Sequence, residues 1–225
     1  MGRPEVLKVL QSQDMLPAIT FIFSRAGCDG ALYQCLRSRM VLTSQEEAQQ
    51  IKEIVDAGVE GIPEEDLQVL DFKRWREALS RGFAAHHAGM LPAFRHIVED
   101  LFVRGLVRAV FATETLALGI NMPARTVVLE KLIKFNGEAH VDLTPGQYTQ
   151  LTGRAGRRGI DTLGNAVVQW APAMDPRQVA GLASTRTYPL ISTFAPGYNM
   201  AINLLGMLGF EDSLRLLEKS FAQFQ

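Results

Sequence analysis

Between Gln147 and Ile160 the chain carries three arginines and no carboxylate. The stretch reads Gln150-Leu151-Thr152-Gly153-Arg154-Ala155-Gly156-Arg157-Arg158-Gly159. A guanidinium stays charged and offers a rigid fork of donors suited to phosphate oxygens. Arg154 and Arg157 are three positions apart, so a helix would place them on one face. Gly153 and Gly156 beside them would let a polyanion approach the backbone. With no acidic residue inside the stretch, the pair is expected to wait for an anion from outside. Taken alone, the stretch reads more readily as a solvated basic helix end capped by Gly159. The rest of the chain supplies the context.

The 225 residues, 47% of them hydrophobic, suffice for one large domain or one domain with an appendage. The net charge of −1 gives no global basic field, so any polyanion site must be local. Cys28 and Cys35 lack zinc-type spacing and read as reduced core residues on a helix. That suits a reducing compartment, here taken as the cytoplasm. No apolar run approaches the ~20 residues that cross a bilayer, and no signal core opens the chain. No membrane contact and no metal site are expected.

Four short apolar runs, Ala18–Phe23, Phe83–His87, Val107–Ala112 and Thr126–Leu129, read as strands, the first of them buried on both faces. Gly164–Trp170 reads as a fifth. Helical patterns separate them: Arg3–Asp14, Cys28–Met40, a helix from Pro92 carrying Phe94, Ile97, Val98, Leu101 and Phe102, and one opened by Thr144-Pro145. Ser24 to Gly27 reads as a turn. Thr43 onward is a polar helical insertion, with Ser44 and Glu47 as a capping box and a further helix from Glu64 through Leu79. Trp75 and Trp170 are expected to pack. After Pro172 only helices follow, Tyr198–Leu208 and Glu211–Phe221 among them, with a boundary placed near Pro189.

Strands alternating with helices indicate an α/β fold built on an open, mostly parallel sheet with helices on both faces, followed by a short helical extension. Ligands on such sheets bind at the carboxyl ends of the strands. Ser24, Arg25, His87, Gly89, Thr113 and Glu114 are expected there, and the arginine segment at the same edge. Alternation puts His86 and His87 on opposite faces, so at most one should reach a ligand, His87 being preferred.

Four blocks in order then carry a family resemblance: Phe21 to Cys28, His86-His87-Ala88-Gly89-Met90, Phe111 to Arg125, and Gln150 to Gly159. Together with the insertion and the tail from Tyr198 to Leu205 and Leu217 to Gln225, they resemble the second RecA-like domain of superfamily-two DExH-box helicases. The branch is that of the superkiller and exosome-associated RNA helicases and their actinobacterial relatives. The resemblance implies a RecA-like domain over 1–188, with the insertion at about 43–82, and the start of a winged-helix-like domain over 189–225.

It also implies roles. Gln150, Arg154 and Arg157 would face ATP, the arginines acting as fingers on the γ-phosphate. Gly119, Asn121 and Gly153 would lie near the nucleotide. Ser24, Arg25, His87, Gly89, Thr113 and Glu114 would line a track for single-stranded RNA. Blander readings stand beside these: a strand-end core histidine for His87, a helix cap for Thr113-Glu114-Thr115.

The sequence contains no G-x-x-x-x-G-K-[ST] loop and no Asp-Glu-x-His box. ATP and Mg2+ would therefore be held mainly by a first RecA-like domain of the same polypeptide, and this chain alone should be inactive. An RNA-degrading nuclease complex is a further implied partner. Two alternatives stay open: a DNA helicase domain, and a stand-alone nucleic-acid-binding module without catalysis.

Overall fold

The computed structural model describes residues 1–117, 122–135, 137–172, 174–185, 192 and 194–224; of Phe221 and Phe224 it describes the backbone alone. Among these residues the chain forms two units, Met1–Ser184 and Thr185–Gln225. Pro189, the expected boundary, lies outside the described residues.

The first unit is organised by seven strands: β1 (Ala18–Phe21), β2 (Phe83–His86), β3 (Ala109–Ala112), β4 (Thr126–Leu129), β5 (Ile133–Phe135), β6 (His140–Asp142) and β7 (Asn165–Val168). Five of them make one sheet in the order β2-β3-β1-β4-β7, every pairing parallel. Strands β1 to β4 are buried at every position, as continuous apolar strands require when both faces are covered. Alternation divides them. Ile19, Phe21, Ala84, Val110, Val127 and Leu129 face one core, and Ala18, Phe83, Ala85, Phe111 and Val128 face the other.

Helices α1 (Arg3–Ser12) and α2 (Arg25–Arg37) cover the second face through Leu7, Leu10, Cys28, Leu32 and Cys35. The first face is covered by α3 (Gln45–Gly58), α5 (Phe72–Ser80), α6 (Pro92–Val103) and α7 (Pro145–Thr152). Between α3 and α5 lies α4 (Glu64–Val69), and α8 (Pro176–Ser184) sets Val179 and Leu182 against the same core. The second unit is α9 (Tyr198–Glu218), broken at Gly209 with φ 76°, and a 3₁₀ turn at Phe221–Phe224.

The elements depart from the sequence reading at Ser24, at Asp71, at Trp170 and at one hairpin. Ser24 is not part of a turn but the N-cap of α2, its Oγ accepting from the Gly27 N–H at 3.1 Å. The helix expected from Glu64 through Leu79 is two helices, because Asp71 adopts φ 53° and ends the first. Trp75 packs as expected, stacked on Phe94 at 4.1 Å, but Trp170 is 67% exposed. The β5–β6 hairpin was not read at all. Its strands have three residues each and are mostly exposed, so no hydrophobic alternation announces them. The one signal was Asn136-Gly137, a pair that favours tight hairpin turns, and Gly137 does take φ 109°.

Candidate functional site

Ser24 and Arg25 leave the carboxyl end of β1 and start α2, both exposed. The loop after β2 brings Gly89 beside them: a methyl group on Gly89 would sit 3.3 Å from Arg25 Cδ and 3.2 Å from His87 Nδ1. Thr113 follows β3, its N–H donating to the His86 carbonyl at 3.3 Å and its hydroxyl 2.9 Å from that of Thr115. Glu114, next in line, accepts from Lys134 of β5 at 2.6 Å. Over the ends of β1 and β4 lies a cavity of about 600 Å³, with Ser24, Glu130, Lys131, Lys134, Phe135 and His140 in its wall. Five of the six expected residues therefore meet along one edge with partly or fully exposed side chains or backbone.

His87 is the exception. Its side chain is 8% exposed and both ring nitrogens are engaged. Nδ1 accepts from the Gly89 N–H at 3.2 Å, which leaves Nε2–H to donate to Asp29 Oδ1 at 3.1 Å. The expectation that His87 reaches a ligand is corrected: it clips the Gly89 loop to α2. His86, on the opposite face, is buried too, with Nε2 2.8 Å from Glu99 Oε1. Burial pushes its pKa below the ordinary imidazole value.

The arginine segment lies elsewhere. α7 runs back against the strand direction and ends at Thr152, with Gly153 as C-cap, so Arg154 and Arg157 are not on one helical face. Ala155 pairs with Ala124 in a parallel bridge just before β4. Gly156 N–H donates to the Ala124 carbonyl at 2.7 Å, and Ala124 N–H donates to the Arg154 carbonyl at 2.9 Å. Gly156 takes φ 90°, and Gly164 comes so close that a methyl group on it would sit 2.6 Å from Gly156 N. The expected position at the carboxyl edge is thus corrected. A segment that connects a returning helix to the start of the next parallel strand must sit at the amino end of β4 and β7.

The two guanidiniums diverge. Arg154 Nη2 donates to the Ala117 carbonyl, at the end of the 3₁₀ turn Glu114–Ala117. Arg157 turns to Asp161, one residue past Ile160, so the expectation that the pair has no acidic partner and waits for an outside anion is corrected for Arg157. Oδ1 of Asp161 accepts from Arg157 Nη2 at 2.8 Å and Arg125 Nε at 3.0 Å. Oδ2 accepts from Arg157 N–H at 2.9 Å and Arg157 Nε at 2.8 Å. Arg125 continues to Asp14, whose carboxylate and carbonyl both accept from its Nη1. The Arg157 bonds hold the Asp161 carboxyl far below the usual carboxylate range, and the Asp161 bonds raise Arg157 in turn. The pair was legible as an i,i+4 spacing. Gln150 and Arg158 are exposed, Arg154 and Arg157 partly so. Gly119 and Asn121 lie outside the described residues.

The sequence model described as "Helicase conserved C-terminal domain" matches residues 31–159, more than half of the chain. The chain belongs to that family. The match takes in Gly89, Thr113 and the arginine segment of this helicase C-terminal domain, and leaves out Ser24, Arg25 and Asp161. The domain is 66% identical to "Probable helicase HelY" of Mycobacterium tuberculosis, with all of the chain aligned to 25% of that protein. It is 64% identical to the Mycobacterium leprae protein of the same name over the same shares. It is 35% identical to "Exosome RNA helicase MTR4" of Homo sapiens over 98% of the chain and 21% of the relative. The chain thus spans about a quarter or less of the curated relatives it matches. No helix among its described residues is long and apolar enough to cross a membrane.

Proposed function

We propose that this chain is the second RecA-like motor domain of an ATP-dependent RNA helicase, with residues 1–188 forming that domain and 189–225 beginning a winged-helix-like one. The observation that carries the reading is the fixed arginine segment. Its backbone is bonded to Ala124, in register with the sheet, while Arg154 and Arg157 remain partly exposed. Rigid backbone under a partly exposed arginine is what transition-state stabilisation by a finger requires, because the donor must be in place before charge develops.

ATP and Mg2+ would be held by a first RecA-like domain of the longer polypeptide. ATP hydrolysis supplies the free energy; this chain supplies guanidinium donors, Gln150 and, at the other edge of its sheet, contacts for a single strand. Ser24 and Thr113 offer hydroxyls, and Arg25 offers one cation. Those are phosphate-positioning chemistries that read no sequence. His87 supports the same track indirectly through Gly89 and Asp29. The buried free cysteines fit a reducing, cytoplasmic setting, and a nuclease complex acting on the unwound strand is a fitting partner.

In the full-length enzyme, Arg154→Ala is expected to lower kcat for ATP by roughly 10³-fold with a small change in KM. Unchanged turnover would sink the finger assignment. A DNA substrate is the second reading, since phosphate contacts alone do not sense the 2′-hydroxyl. Stimulation of ATP turnover by RNA strands but not by DNA strands of equal length favours the first reading.

A further inference from the structure

We propose that Asp161 is the positioning residue of the arginine segment: it orients the Arg157 guanidinium for an external phosphate and anchors it, through Arg125, to Asp14 after α1. This rests on the reading of Arg157 as a phosphate-facing residue. The Asp161 side chain is 1% exposed, and burying a charge is costly unless it is paired and hydrogen-bonded. Its four acceptor positions are filled by four N–H donors, three from Arg157 and one from Arg125. A carboxylate saturated in this way has no capacity left to act as a base or to take a cation. What it does is geometric. It holds both the backbone N–H and the Nε–Nη2 edge of one residue, so the side-chain torsions of Arg157 are tied to its own backbone.

The unused edge is the second half of the argument. Arg157 Nη1 has no acceptor among the described residues, and the side chain stays 24% exposed. A guanidinium gripped along one edge and open at the other is pre-oriented for a second, bidentate-capable anion. Arg125 spends Nε on Asp161 and Nη1 on Asp14, so it braces the Asp161 carboxylate against α1's exit.

The test is a double-mutant cycle on ATP turnover in the full-length enzyme, with circular dichroism to verify folding. Asp161→Asn keeps the shape and removes the charge. It is expected to lower kcat by about tenfold or more, with KM for ATP within about threefold, and to add nothing in an Arg157→Ala background. Asp161→Glu keeps the charge but displaces both oxygens; it is expected to lower kcat in the same direction, and it serves where the asparagine variant does not fold. Additive losses, or Asp161 variants with normal kcat while Arg157→Ala is impaired, overturn the positioning role and leave the arginine reading standing. If Arg154→Ala and Arg157→Ala both turn over normally, the arginine reading itself falls and the positioning role with it.

Discussion

Asp161 grips Arg157 by side chain and backbone together, at 2.8 Å to Nε and Nη2 and 2.9 Å to the backbone N–H. An ion pair made across four residues of one turn thus fixes the loop that carries the candidate phosphate ligands. Its strength must depend on the ionisation of Asp161.

The folded-state pKa of Asp161 is depressed, so the pair stabilises the fold above the unfolded-state value, about 3.9. That contribution is lost as pH falls through the lower, folded value. Asp161→Asn should cost about 2 kcal/mol at pH 7, below the usual range for broken buried pairs because both arginines are partly exposed. Denaturant unfolding at pH 7 and near pH 3 should show the wild-type advantage shrinking at the lower pH. An advantage that is equal at both would contradict the assignment.

Gly164 has no room for a side chain. A methyl group there would meet the carbonyl carbon of Ala155 at 2.5 Å, so Gly164→Ala must push the arginine segment off the sheet. We expect a loss of about 1–3 kcal/mol, as for other overpacked sites. Gly30, helical and with open space around it, is the control: Gly30→Ala should be neutral or stabilising by roughly 0.5–1 kcal/mol. Thermal unfolding of the two variants side by side checks this.

Arg25 is exposed at the start of α2 with Gly89 against it. If it contacts a phosphate, Arg25→Ala should weaken single-strand binding by the full-length enzyme uniformly across sequences. The slope of log affinity against log salt should fall by about 0.7. A sequence-dependent loss, or an unchanged slope, would move Arg25 out of the track.

Cys28 and Cys35 are fully buried, and burial pushes both thiols up to about 12. Thiolate is the reactive form, so a disulfide reagent at pH 8 should label neither in the native protein and both after unfolding. Rapid native labelling of either would show that α2 opens.

Much of this fold was written in local pattern. The continuous apolar run from Ala18 reads as a doubly buried strand, Thr126–Leu129 as a strand and Ser44 with Glu47 as a capping box, and the structure has each of them. The misses share a cause. The β5–β6 hairpin has too few residues to show alternation, and the break at Asp71 depends on one residue accepting φ 53°. Trp170 was assigned to packing by type, but the edge strand before it has no neighbour on its outer side to cover it.

The candidate site divides in the same way. The sequence determined which chemistries are present: a run of arginines spaced by glycines, a strand-end Ser-Arg, a His-His-Ala-Gly loop and a Thr-Glu-Thr turn. It determined as well that a parallel sheet holds them, because periodicity and residue type are local properties of a chain. Tertiary structure alone decided that the arginine segment lies at the amino ends of β4 and β7 while Ser24, Gly89 and Thr113 lie at the carboxyl edge. It decided too that His87 faces inward to Asp29 and that Arg157 belongs to Asp161 and Arg125. Those choices depend on which way each helix returns across the sheet and on which charged groups the packing leaves within reach. Neither is set by the spacing of residues along the chain.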